Sequence, residues 1–94
     1  MNLDDELGTI RIRGKQWSYG YGDPGITKGL PDDGAYQPSK RRIILRRGAR
    51  TPLLELVAHE VAHAYFPEAR ETTITKFAEA FTEVYTRFSN ERTT

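Results

Sequence analysis

The apolar residues of this chain change their period once, between Leu45 and Thr51, from alternation to a helical spacing of about 3.6 residues. A chain that switches in this way folds as a small sheet followed by helices, the α+β class. Before the switch, Thr9-Ile10-Arg11-Ile12-Arg13 alternates as a half-buried strand does, and the strand-like pattern runs from Leu7 to about Tyr21. Gly14-Lys15 suits a turn, and Gln16 to Tyr19 a second strand whose Trp17 and Tyr19 pack into the core. Ile43-Ile44-Leu45 predicts a third strand near Arg41 to Arg46. Between them, residues 20–34 hold Gly20, Gly22, Gly25, Gly29 and Gly34 with Pro24 and Pro31, a loop that is either a flap over a site or disordered.

After the switch, Thr51 is the expected N-cap and Pro52 the first helical residue. Leu53, Leu54, Val57, Val61 and Ala64 form one apolar stripe, and Pro67 ends the helix near Phe66. A second helix, from about Glu71 to Ser89, carries Ile74, Phe77, Ala78, Phe81, Tyr85 and Phe88 on one face, with residues 89–94 as a frayed polar tail. The expected architecture is a single domain over 1–94, an antiparallel sheet of about three strands packed on two helices.

Composition narrows the function classes. With 94 residues, 37% apolar and 29% charged, the chain is a soluble globular domain with room for one core. No apolar run reaches the roughly 20 residues that cross a bilayer. The acidic start, Asn2 to Glu6, does not read as a secretory leader. Cysteine is absent, which removes disulfides and thiolate chemistry and fits a cytoplasmic setting. The net charge of +1 is unevenly spread: Lys40, Arg41, Arg42, Arg46, Arg47 and Arg50 fall in one acid-free stretch, and acids dominate the rest. That strip is either a solvated strand edge or a surface for nucleic acid or an acidic partner.

The chemistry lies in His59-Glu60-Val61-Ala62-His63, an H-E-x-x-H motif in the middle of the first helix that contains both histidines of the chain. Residues four apart share a helix face, so both imidazoles reach one Zn²⁺ ion, and Glu60 reaches a water on it. A catalytic zinc needs a third protein ligand, and with neither a third histidine nor a cysteine it must be a carboxylate. Glu71, at the entrance of the second helix, is favoured over Glu79, Glu68 and Glu83, while Glu55 would reach the open position only awkwardly. Taken alone, Glu71 also suits a helix N-terminus, where the dipole favours an acid.

The run Leu56 to Pro67, Leu-Val-Ala-His-Glu-Val-Ala-His-Ala-Tyr-Phe-Pro, followed by Glu71 and an apolar-patterned helix, resembles the zincin metallopeptidases. It is most similar to small, often phage-encoded proteins related to the SprT-like and ImmA/IrrE-type groups. The resemblance spans roughly residues 34–88, and the chain lacks the third histidine of the metzincins and the downstream helix of the large gluzincins. It implies one Zn²⁺ held by His59, His63 and Glu71, Glu60 as general base for peptide hydrolysis, and Tyr65, Tyr36 or Tyr85 as oxyanion donor. It also implies a peptide substrate extended along the edge strand, acidic if Arg41 to Arg46 is that edge.

Two other functions fit the same sequence. One is a zinc-binding structural or regulatory phage protein without protease activity, because so short a chain leaves little wall for a cleft. The other is a nucleic-acid-associated protein that uses Arg41, Arg42, Arg46 and Arg47.

Overall fold

A computed structural model describes residues 1–92. Strands β1 (Asn2–Ile12) and β2 (Lys15–Asp23) form an antiparallel hairpin with Ile10 opposite Trp17. Its two-residue turn is Arg13-Gly14, with φ of 51° and 81°, and positive φ at both positions gives the primed turn that matches strand twist. β3 (Ile26–Thr27) and β4 (Leu30–Pro31) pair as a small separate hairpin. β5 (Gly34–Gln37) and β6 (Arg42–Leu45) follow, then α1 (Leu53–Tyr65) and α2 (Glu71–Arg92).

The class is α+β as expected, but the sheet has four strands in the order β1-β2-β6-β5, not three. It is mixed, because β6 runs parallel to β2 and antiparallel to β5. The basic strand is therefore interior, and the expected edge at Arg41 to Arg46 is corrected. Successive side chains of a strand point to opposite faces, and Ile43, Ile44 and Leu45 are all buried, so both faces of β6 are covered. β1 also begins earlier than the alternation announces. Its residues 2–6 are mostly exposed and are held by the backbone ladder to β2. The 20–34 segment is ordered: it holds the end of β2, the β3-β4 hairpin and the start of β5.

The core gathers Ile12, Trp17, Ile43, Leu45, Leu56 and Ala64, while Tyr19 stands at the exposed margin instead of packing inside. α1 starts one residue later than predicted: Pro52 is the N-cap residue, and the Thr51 side chain bonds Asp33 instead of capping the helix. α1 also turns a different face inward. Leu56, Glu60, Ala62, His63 and Ala64 are buried, whereas Leu53 is 57% exposed and Val57 is partly exposed. In α2 only Ile74 and Ala78 are buried, and Phe77, Phe81, Tyr85 and Phe88 lie open to solvent. Residues 89–92 continue α2 and are not a frayed tail; 93 and 94 lie outside the described residues. No helix among the described residues is long and apolar enough to cross a membrane.

Candidate metal centre

α1 places His59 and His63 one turn apart, and their Nε2 atoms are 3.2 Å from each other. Two ligands on one tetrahedral zinc, each at about 2.0–2.1 Å, stand about 3.3 Å apart. The histidine pair already has that spacing. The turn over Phe66–Arg70, with the Ala69 N–H donating to the Phe66 carbonyl at 3.0 Å, folds α2 back so that its first residue faces α1. Glu71 then spans both imidazoles, with Oε1 2.8 Å from His59 Nε2 and Oε2 2.7 Å from His63 Nε2. These three residues form a group whose donor atoms lie within 4.8 Å of one another, and two imidazoles plus a carboxylate are a donor set that suits zinc. Of the carboxylates weighed as third ligand, the fold brings Glu71 to the histidines; Glu68, Glu79 and Glu83 are exposed elsewhere, and Glu55 lines a neighbouring cavity.

His63 is 9% exposed, and the Tyr36 ring from β5 stacks on it at 4.8 Å between centroids and 7° between planes. That contact fixes the ring plane, hence the direction of Nε2. Tyr36 is the tyrosine of the three candidates that the fold carries to this cleft. Tyr65 is exposed beside Phe66, and Tyr85 lies near the far end of α2 with Phe88 and Arg92.

Glu60 is 6% exposed and faces the same cleft of about 500 Å³. Burial first, then the charges of Glu71 and Asp32, push its carboxyl up to about 7. Its place depends on Gly34 in β5. A Cβ there would sit 3.0 Å from Leu45 Cδ2 and Leu56 Cδ1 and 3.2 Å from Glu60 Oε2. The absent side chain lets β5 lie directly against the glutamate.

Asp33 fastens this wall. It accepts hydrogen bonds from the Thr51 hydroxyl at 2.6 Å, the Thr51 N–H at 3.1 Å and Arg46 Nη2 at 2.6 Å. Led by the Thr51 hydroxyl bond, these lower its carboxyl to about 2. The sequence pattern places Asp32, Asp33 and Gly34 only within the 20–34 loop. Their role has no motif and emerges when the turn meets the start of α1.

Three residues of the basic strip are engaged within the molecule. Arg42 bonds Gln37 and the Met1 carbonyl, Arg46 pairs with Asp33, and Arg47 pairs with Asp5 and lies 4.2 Å over the Tyr21 ring. Arg41 occupies the exposed turn before β6 with φ of 52°. On the far side of α1, Leu7, Ile10, Tyr19, Leu53, Val57 and Val61 border an apolar groove of about 360 Å³. Comparison with models of protein families, with curated proteins and with solved structures finds no match to this chain.

Proposed function

We propose that this chain is a small zincin-like peptidase that uses one Zn²⁺ ion, with His59, His63 and Glu71 as its ligands and Glu60 as general base. The observation that carries the reading is the convergence of those three side chains on one point beside a nearly buried glutamate. When bound, the ion supplies an acidified water and a Lewis acid for the scissile carbonyl. Glu60 takes the proton from the attacking water and returns it to the leaving nitrogen. β5 ends the sheet and contributes Gly34, Ala35 and Tyr36 to the cleft, so an extended peptide can add to its free side. Tyr36 holds His63 in line and, as the tyrosine of the three that lines the cleft, supplies the hydroxyl for the developing oxyanion.

The test is metal analysis joined to peptide cleavage. Wild type should carry one zinc per chain, and Glu71→Ala should weaken zinc binding by about 100-fold or more, since even outer partners of a metal ligand cost 10–100-fold. Glu60→Gln should retain the metal and lose cleavage by about 10²–10⁴-fold. A zinc-loaded wild type that cleaves nothing across a broad peptide library removes the peptidase reading.

A further inference from the structure

Beside the metal cleft, and sharing Asp32, Gly34, His59 and Glu60 with it, lies a second cavity of about 280 Å³ that reaches Thr51 and Glu55 at the start of α1. Its charges are one-sided. Asp33 on its wall is matched by Arg46, but among the described residues no cation lies within ion-pair distance of Asp32 or Glu55, and no lysine or arginine lines the cavity. Asp32 is held in place: its Oδ2 accepts from the Thr27 hydroxyl at 3.0 Å and its N–H donates to the Gly25 carbonyl at 2.9 Å.

A second observation points to a ligand there. Glu60 is more than nine-tenths buried, borders both cavities, and receives no hydrogen bond from the described residues. Among the described residues every fully enclosed side-chain oxygen or nitrogen has a partner, so the Glu60 carboxylate opens into the shared space. Half-buried acids without a countercharge are expensive, and a ligand cation that enters is attracted by Asp32 and Glu55.

We infer that this cavity is a subsite for a positively charged side chain, a lysine or arginine next to the scissile bond, held between Asp32 and Glu55. Its location relative to the scissile bond rests on the peptidase reading; the charge preference does not. It reverses the expectation of an acidic substrate, which depended on the arginine strand forming the sheet edge. Asp32 and Glu55 are specificity residues in this scheme and take no part in proton transfer.

The test uses short peptides identical except for one central lysine, Nε-acetyl-lysine or glutamate. Their binding to zinc-loaded Glu60→Gln protein is followed by amide NMR at Gly34, Thr51 and Glu55. The lysine peptide should bind about five- to tenfold more tightly than its acetylated twin, the glutamate peptide more weakly than either, and added salt should shrink the difference. Asp32→Asn combined with Glu55→Gln should erase it. The same peptide comparison on Glu60→Gln protein with Asp32 and Glu55 intact keeps the inference falsifiable should the further variant not fold. Equal binding of lysine and acetyl-lysine peptides, or a preference that survives the double substitution, overturns the subsite. Cleavage by wild type is scored separately: preferential binding without any hydrolysis would leave the subsite standing and remove the peptidase reading, whereas hydrolysis without preference would do the reverse.

Discussion

The two long sides of α1 are built by opposite rules. On one side Leu56, Glu60 and His63 press against β5 and β6, and the ionisable groups there are buried or stacked in fixed positions. On the other, Leu53, Val57 and Val61 border an open groove with Leu7, Ile10 and Tyr19. Counting hydrophobic residues picks the second side as the core. The chain nevertheless packs the first, because Glu60 and His63 are carried inward by Leu56, Ala64 and the Tyr36 stack. A helix that buries a glutamate and a histidine while leaving leucine and valine in water is spending stability on an arrangement of polar groups. That pattern is typical of a site rather than of a core.

Four measurements sharpen or break this contrast. The largest effect is expected from Leu56→Ala, which opens a cavity beneath the packed side and should cost about 2–5 kcal/mol in urea unfolding. A loss below about 1 kcal/mol would mean that this side is not the packed one. Next comes the pH dependence of the metal-free protein. Glu60 binds its proton up to about pH 7 in the folded state but only to about 4.5 when unfolded. Its contribution therefore favours folding most at acid pH, and stability falls as pH rises from 4.5 to 7. Glu60→Gln should flatten that slope and stabilise the metal-free protein near neutrality by about 1–3 kcal/mol. An unchanged slope would show that the glutamate titrates normally.

Gly34→Ala should destabilise by about 1–3 kcal/mol through the crowding of Leu45 and Leu56, and should lower cleavage further by shifting Glu60. Intact activity in this variant would separate β5 from the function of the glutamate. Smallest of all is Leu53→Ser on the open side, expected within about 0.5 kcal/mol of wild type. A penalty several times larger would show that the groove is covered in solution.

The sequence carried the helices well. Their period is regular, Pro67 marks the break, and the His59/His63 pair follows from helical spacing alone. Glu71 was legible for the same reason, since a short turn leaves few places for the first residue of α2. The sheet was harder. Gly34–Gln37 is four residues long and opens with glycine, so it reads as loop, and it becomes a strand only because β6 offers it a partner. The N-terminal half of β1 is mostly charged and polar, and its ladder to β2 is invisible in the pattern. The parallel pairing of β2 with β6 joins residues far apart in the chain, which no local signal encodes. For the same reason Arg42, Arg46 and Arg47 of the basic strip looked free: their partners, Gln37, Asp33 and Asp5, are supplied by the fold.

One carboxylate, that of Asp33, ties together three stretches of the chain. The turn before β5, the end of β6 and the threshold of α1 all depend on it, and the Arg46 N–H adds a 2.8 Å bond to the Asp33 carbonyl. The cleft rim consequently lacks an independent hinge: peeling β5 away would also release the first turn of α1 and with it the footing of the histidines. Fluctuations that expose this wall should thus be rare and concerted, so that amide exchange at Arg46 and Thr51 reports one shared event. Strong acid, which protonates Asp33 as pH drops from about 4 towards 2, is the condition that would loosen all three stretches together.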